Sequence, residues 1–257
     1  MEHELTNIIS SWQTPTVWKH GGREYLVCST GGKPGEAQLK LINASDGQVI
    51  WEAGGLDATQ FNLAISDDIV LVNVGSQITK EKANGSAPRR ADGEAPFGRL
   101  AAYQLSLDAP KRIWSLPDLP QFLIPTWNDS VARPRYIICD GLVYCSTEGP
   151  DRETDRRFIV ADLKTGDILA NHPRDNDFWF QLMEDRLLHC RDFSHGKSAS
   201  WFLFSARPSS FKQLSGPWST TQPLTTSYQV LMEPPVIAGR IFLRTETGSI
   251  VCYDLRK

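Results

Sequence analysis

The chain repeats one pattern five times, and this repeat restricts its fold more than any other feature. Each unit has a short apolar strand, a turn, two β-rich strands joined by a hairpin, a second turn and a last short strand. The first unit shows the pattern at residues 16–18, 24–28, 39–43 and 49–51, and the third at 136–138, 142–145, 158–162 and 167–169. Repeated sets of short strands predict an all-β repeat fold.

The remaining units follow the same order with more variation. Strands are predicted at 69–72, 100–103 and 112–114 in the second unit, at 178–180, 187–190, 201–204 and 211–214 in the fourth, and at 235–237, 241–243 and 250–254 in the fifth, which stops before a fourth strand. The third strands are predicted to end at Asn43, Gln104, Asp162, Ser205 and Asp254, which are 43 to 61 residues apart. Propeller blades have about 40 to 50 residues, and loop insertions lengthen some of them.

We therefore predict a β-propeller of four-stranded blades over residues 1–257, with units at about 11–53, 61–116, 125–172, 177–215 and 228–257. It is either a small closed ring of five blades or an arc of a larger propeller. Residues 1–10 include the apolar, β-branched stretch 4–10, which is a candidate closing strand beside 250–254 because bare strand edges are usually covered. A β-sandwich is the alternative, although it does not require the same strand order in every unit.

Two stretches carry a family resemblance. Residues 41–51 (LINASDGQVIW) and 234–245 (PPVIAGRIFLRT) resemble the PQQ-like repeat of quinoprotein dehydrogenases. They are also similar to non-enzymatic propellers with that repeat, such as the bacterial outer-membrane-protein assembly lipoprotein. The resemblance covers most of the chain and implies a propeller in an extracytoplasmic, for example periplasmic, protein. The chain as written begins without the basic and apolar regions of a signal peptide, so the location stays open.

Quinone chemistry needs a carboxylate base, a hard cation and flat residues on both sides of the quinone. The resemblance to the alcohol dehydrogenase branch also directs attention to adjacent cysteines, but none of Cys28, Cys139, Cys145, Cys190 and Cys252 adjoins another. We expect these cysteines to pack in the core, with one disulfide as the alternative. We predict no cofactor. The alternative is an enzyme, either a quinone-dependent oxidoreductase with PQQ and calcium or another propeller enzyme with a central-funnel active site.

Other catalytic patterns are missing from the sequence. The five histidines form neither HxH nor HExxH, no GxSxG is present, and the acidic residues 175–177 lack the glycine and distal glutamate of a calcium loop. No catalytic, cofactor-binding or metal-binding residue is predicted. The net charge of −3, from 27 basic and 30 acidic residues, argues against nucleic acid as a partner. No apolar run reaches the roughly 18 residues of a membrane-spanning helix.

Two polar insertions interrupt the strands, at residues 77–97 in the second unit and 148–157 in the third. Their low hydrophobicity predicts that they are surface loops, and the first is expected to be mobile and dispensable for folding. Binding in repeat folds is often located on such loops. The candidate interaction residues are Lys80, Lys82, Arg89, Arg90, Arg152, Arg156 and Arg157. We predict a non-catalytic module that binds another protein or a polymer through its loop faces, in an oligomeric state that the sequence leaves open.

Alternation within the predicted strands also identifies a core. The residues expected to lie in strands and to be mostly buried are Val27, Ile42, Trp51, Leu71, Trp114, Val143, Val160, Ile168, Leu188, Phe202, Phe242 and Val251.

Overall fold

The computed structural model describes residues 15–29, 37–56, 63–74, 99–116, 136–147, 157–173, 177–183, 185–191, 200–210, 212–221, 235–245 and 247–256. These residues form strands in five antiparallel sheets, together with one 3-10 turn at Pro208–Ser210 and no α-helix. In every sheet each strand pairs with the strand that follows it in sequence. The predicted all-β class is confirmed.

The first two sheets have four strands each. Sheet 1 contains β1 (Thr16–His20), β2 (Arg23–Ser29), β3 (Ala37–Asn43) and β4 (Val49–Leu56). Sheet 2 contains β5 (Ala64–Ser66), β6 (Ile69–Val74), β7 (Arg99–Gln104) and β8 (Lys111–Ser115). The sequence did not identify β5, because three residues are too few to show an alternating pattern.

Sheet 3 contains β9 (Tyr136–Cys139), β10 (Leu142–Thr147), β11 (Arg157–Asp162) and β12 (Ile168–Pro173). Sheet 4 contains β13 (Asp177–Met183), β14 (Arg186–Arg191), β15 (Ser200–Ser205) and β16 (Gln213–Ser219). The three strands of sheet 5 are β17 (Val236–Ile237), β18 (Arg240–Arg244) and β19 (Ile250–Asp254).

The sheets belong to two compact units, with sheets 1 to 3 in the first and sheets 4 and 5 in the second. In the first unit β1 contacts β5 and β5 contacts β9, so the first strands of the three sheets lie side by side. Three apolar clusters fill the spaces between sheets 1 and 2, between sheets 2 and 3, and between sheets 4 and 5.

One backbone hydrogen bond recurs in all five sheets. The N–H that follows the third strand donates to a carbonyl at the start of the second strand or in the turn before it, for example Leu163 to Gly141 at 2.9 Å and Leu255 to Gly239 at 2.8 Å. The equivalent donors in sheets 1, 2 and 4 are Ala44, Leu105 and Ala206. The third strands end at the five predicted residues, Asn43, Gln104, Asp162, Ser205 and Asp254. The five sheets are therefore repeats of one structural unit.

The fourth strand of each complete sheet contains a β-bulge at the same place. One extra residue interrupts the pairing between the third and fourth strands, and it is Ile50, Ile113, Leu169 or Leu214 in sheets 1 to 4. A bulge breaks the two-residue alternation of a strand. As a result Ile168, predicted to be buried, is 44% exposed, while Ala170 points inward and is buried.

Most of the predicted core is confirmed. All twelve residues lie in strands, and Val27, Ile42, Trp51, Leu71, Trp114, Val143, Val160 and Leu188 are buried. Phe202, Phe242 and Val251 are only half-buried. Phe202 lies between the buried residues Trp201 and Leu203, and Phe242 lies between Ile241 and Leu243, so each aromatic ring points to the opposite face of its sheet.

Two further expectations need correction. The last strand of the fourth unit, expected at residues 211–214, is β16 at Gln213–Ser219. The cysteines do not all pack in the core, because Cys252 is exposed and Cys139 half-buried, whereas Cys28 and Cys145 are buried. No disulfide joins these four described cysteines.

Two tryptophans connect the sheets of the first unit. Trp51 in β4 donates its indole N–H to the Ser106 carbonyl beyond β7, at 2.9 Å, and Trp114 in β8 donates to the Leu163 carbonyl beyond β11, at 2.8 Å. Each ring thus packs on the turn that follows the third strand of the next sheet. Four-stranded antiparallel sheets placed side by side, with each docked on the next, are the blades of a β-propeller. Residues 1–10 lie outside the described residues, so the closing strand stays a prediction, as do the single domain and the number of blades.

Candidate functional site

The two ends of the sheets in the first unit are built differently. At one end, here called the turn end, the first and second strands are joined by two residues: Gly21 and Gly22, Asp67 and Asp68, or Asp140 and Gly141. The turns between the third and fourth strands lie at the same end, because the strands of each sheet run antiparallel. At the opposite end, here called the loop end, the second and third strands of sheets 2 and 3 are separated by residues 75–98 and 148–156.

The turn end is fixed by local hydrogen bonds. The Asp162 carboxylate accepts the N–H groups of Lys164 and Thr165, each at 2.8 Å, and the Asn43 side chain accepts the N–H of Ser45 at 3.1 Å. These contacts hold the pKa of the Asp162 carboxyl below its usual value, with the backbone N–H of Thr165 as the largest cause. Side chains that bond their own turn in this way fix its geometry.

One of the predicted interaction residues lies within the described chain. Arg157 is the first residue of β11, at the loop end of sheet 3, where it is half-buried and in register with Thr147 and Pro173. Lys80, Lys82, Arg89, Arg90, Arg152 and Arg156 lie outside the described residues, as does the whole insertion at 77–97. Their role in binding stays a prediction.

A polar cluster that the sequence did not reveal lies at the turn end, where sheets 1 and 2 meet. The Asp68 carboxylate accepts the indole N–H of Trp18 at 3.0 Å and lies 3.4 Å from Nδ1 of His20. The His20 ring also stacks on Trp18, with 4.6 Å between ring centroids. The carboxylate thereby connects the first strand of one sheet to the first turn of the next. These residues come together only because β1 of sheet 1 lies beside β5 of sheet 2, so no sequence motif could indicate them.

A lysine is buried in the middle of sheet 1. Lys40 in β3 forms an ion pair with Glu52 in β4 at 2.8 Å, and its other neighbour in register is Cys28 in β2. Burial raises the pKa of the Cys28 thiol, while the nearby Lys40 charge opposes that rise. A buried thiol with a raised pKa is a poor nucleophile. This cluster therefore contributes to the interior of the blade.

Aromatic stacking connects the sheets of the second unit. Trp218 in β16 stacks on Trp201 in β15, with centroids 5.5 Å apart and an interplanar angle of 14°, and it lies 5.7 Å from the ring of Tyr253 in β19. The Tyr253 hydroxyl accepts the backbone N–H of Thr221 at 3.0 Å. Ser215 stands in the register position that Trp51 and Trp114 occupy in sheets 1 and 2. The second unit thus uses a different tryptophan to join its sheets.

Metal binding and membrane crossing each impose a requirement that can be checked in the described residues. Within these stretches no three His, Cys, Asp or Glu side chains are grouped closely enough to hold a metal ion. The described part of the chain also contains no helix of the length and apolar character that membrane crossing by a helix requires.

Comparison with known proteins gives likeness at the level of structure alone. No family model matches the chain, and no curated protein matches it in sequence. The β-propeller domain of the Trilobed protease from Pyrococcus furiosus is 9% identical with a TM-score of 0.49, over 94% of this chain and 68% of that one. A europium-containing methanol dehydrogenase is 12% identical with a TM-score of 0.46, over 90% of this chain.

The chain spans 51% of the length of that methanol dehydrogenase. The computationally designed Ika4 protein is 13% identical with a TM-score of 0.43, over 80% of this chain and all of that one. The assignment of the fold rests on the sheets and their docking contacts.

Proposed function

We propose that the chain is a non-catalytic β-propeller module that binds another protein or a polymer at the loop end of its first unit. The difference between the two ends carries this proposal. The turn end has short connections fixed by hydrogen bonds, which leave little room for a sequence to vary. The loop end has the long segments between β6 and β7 and between β10 and β11. Binding residues are often found on loops that a rigid scaffold holds in place.

The charged residues of the loop end support a partner with a polar surface. Residues 77–97 contain Lys80, Lys82, Arg89 and Arg90, and Arg157 begins β11 at the same end of the neighbouring sheet. Acidic residues are interspersed, and the whole chain has a net charge of −3. A mixed surface of this kind suits a protein or a polar polymer better than the uniformly charged backbone of a nucleic acid.

The proposal is tested with two charge-reversed variants of sheet 2. Arg89→Glu with Arg90→Glu changes a basic pair in the loop-end segment, and Lys111→Glu with Arg112→Glu changes an exposed basic pair at the turn end. Each full-length protein serves as bait in quantitative cross-linking to a protein extract of its native cells. We expect the first variant to lose a defined set of partners that the second retains. Equal retention by both variants, or equal loss, would contradict binding at the loop end.

The non-catalytic part of the proposal has a separate test. We expect calorimetric titration of PQQ into the purified protein, with calcium present, to give no saturable binding. We also expect no quinone-dependent oxidation of alcohols or sugars in a dye-reduction assay. Stoichiometric PQQ binding would contradict the non-catalytic proposal and favour the enzyme alternative, because a bound quinone supplies the redox chemistry that the side chains lack.

Replacing residues 77–97 by a short Gly/Ser linker tests whether the segment is an accessory of the fold. The entropy of closing a loop changes slowly with its length, so we expect a change in unfolding free energy of less than about 1 kcal/mol. Thermal and denaturant unfolding of the shortened protein provide the measurement. Loss of folding would mean that the segment is a packed structural element and not a binding loop.

A further inference from the structure

The turns of sheets 4 and 5 lie on one side of the second unit. Equivalent positions fill the apolar clusters of the two units, so sheet 5 docks on sheet 4 as sheet 2 docks on sheet 1. These positions hold Leu39, Leu41 and Tyr103 in the first unit and Trp201, Leu203 and Tyr253 in the second. The side of the second unit that carries the turns is therefore called its turn end, as in the first unit.

Basic residues outnumber acidic residues at the turn end of the second unit. Over the described turns, with two strand residues on each side, the basic residues are Arg186, Arg207, Lys212, Arg240 and Arg256. The acidic residues in these stretches are Asp185 and Asp254. Glu184 and Lys257 adjoin them in sequence with opposite charges and leave the excess unchanged. The turn end of the first unit, counted in the same way, has five basic and eight acidic residues.

Two carboxylates are shared among four arginines at this end. The distances from guanidinium nitrogen to carboxylate oxygen are 3.9 Å for Arg186 and 3.2 Å for Arg207 with Asp185, and 3.8 Å for Arg240 and 2.6 Å for Arg256 with Asp254. The four arginine side chains are nevertheless 43% to 68% exposed. A guanidinium group has five N–H donors, and a contact with one carboxylate uses at most two of them. The arginines can therefore bind further acceptors without losing these ion pairs.

Arg256 is held in one orientation by its own chain. Its Nε and Nη2 donate to the two carboxylate oxygens of Asp254, at 2.9 and 2.6 Å. Its aliphatic part packs on the turn between β17 and β18, because a Cβ at Gly239 would lie 2.6 Å from Cγ of Arg256. A side chain that is already ordered loses little conformational entropy when a ligand binds. The Arg256 guanidinium is thus a preorganised anchor for an anionic group.

We propose that the turn end of the second unit binds an acidic segment of another protein. Arginine forks match the geometry of carboxylates, and clusters of arginine recognise acidic peptides. A peptide fits this surface better than a nucleic acid, because Asp185 and Asp254 lie among the arginines and would repel a continuous row of phosphates. The spaced carboxylates of a peptide can contact the arginines while its backbone N–H groups face the two aspartates. The net charge of −3 on the whole chain also disfavours a nucleic acid.

Fluorescence anisotropy of a labelled oligoglutamate peptide, titrated with the full-length protein, tests this surface. Arg207→Glu with Lys212→Glu reverses two exposed charges in the connection between β15 and β16. Lys111→Glu with Arg112→Glu is the matched control, because it changes the net charge equally at the turn end of the first unit. We expect the first variant to raise the dissociation constant at least about tenfold and the control to change it less than about twofold, with circular dichroism confirming that both fold.

Ionic strength and a second probe identify the kind of partner. Because salt screens exposed charges, the affinity for oligoglutamate should fall as the salt concentration rises from about 0.05 M to about 0.5 M. A labelled oligothymidylate of the same charge should bind more weakly than the peptide. No binding of the peptide by the wild type at low salt, equal losses of affinity in both variants, or tighter binding of the oligothymidylate would overturn the proposal. Arg89→Glu with Arg90→Glu leaves this surface intact, so the outcome is independent of partner binding at the loop end.

Discussion

The contact between sheets 2 and 3 and the contact between sheets 4 and 5 join equivalent blades with different side chains. In the first unit Trp114 packs on the turn of the next sheet and donates a hydrogen bond to it. In the second unit Ser215 takes that register position, and Trp218 stacks between Trp201 and Tyr253 instead. The backbone bond from the third strand to the first turn is the same in both. Blades are thus defined by their hydrogen-bonded frame, while the residues that join them can differ.

Removing the docking ring should have the largest effect. Trp114→Ala deletes a buried indole and leaves the Leu163 carbonyl without its donor, and buried Trp to Ala changes cost about 3 to 5 kcal/mol. We expect a loss of about 4 kcal/mol in denaturant unfolding. Trp218→Ala should cost less, because Trp218 is only partly buried. An equal or larger loss for Trp218→Ala would mean that stacking is the stronger way of joining blades.

The next largest effect is expected at Gly166, on which the Trp114 ring packs. Gly166 has a φ of +76°, and a Cβ there would lie 2.7 Å from Cγ of Trp114. Gly141 in the same sheet has a φ of +74° and no atom within 4 Å of such a Cβ. Both alanine variants incur the backbone cost of about 1 kcal/mol, but only Gly166→Ala also displaces the ring. In chemical denaturation we expect the unfolding free energy to fall by about 3 kcal/mol for Gly166→Ala and by about 1 kcal/mol for Gly141→Ala. Indistinguishable losses would contradict the close approach of the ring.

A smaller effect is expected from the hydroxyl of the second unit. Tyr253→Phe keeps the ring beside Trp218 but removes the acceptor of the Thr221 N–H. Thr221 is exposed, so water can replace the lost partner, and the loss should be about 1 kcal/mol or less. Thermal unfolding measures it. A loss as large as that of Trp218→Ala would show that the hydrogen bond, and not the stacking, holds these sheets together.

The smallest expected effect is the pH dependence of stability that comes from the turn between the third and fourth strands of sheet 3. The pKa of Asp162 is lower in the folded chain than in the unfolded chain. Its contribution to the unfolding free energy is therefore complete above about pH 4 and is lost as the pH falls through the pKa of the folded chain. Asp162 is only half-buried, so solvent screens the contribution and keeps it small. Asn43 accepts the same type of bond in sheet 1, so Asp162→Asn should keep the stability at neutral pH and reduce its fall in acid. Acid unfolding curves that are identical for both proteins would contradict this assignment.

The sequence predicts the strands and turns of each blade better than the contacts between blades. Apolar alternation between Gly and Asp turns identified most strands and the ends of all five third strands, because local chemistry determines both. The bulge in each fourth strand was missed, and with it the exposure of Ile168, since one extra residue shifts the alternation without a sequence signal. The Trp18, His20 and Asp68 cluster was missed because its members come from different sheets. Of the predicted interaction residues only Arg157 is described, and the structure places it at the loop end without testing its role.

A double-mutant cycle between Trp114 and Gly166 tests the docking of one blade on the next most directly. The unfolding free energies of the wild type, Trp114→Ala, Gly166→Ala and the double variant give the coupling between two residues that are far apart in sequence. If the ring lies on the glycine, Gly166→Ala should cost only about 1 kcal/mol once the ring is gone, because the backbone term alone remains. The predicted coupling is therefore about 2 kcal/mol. Additive effects, with no coupling, would mean that Trp114 does not dock on this turn.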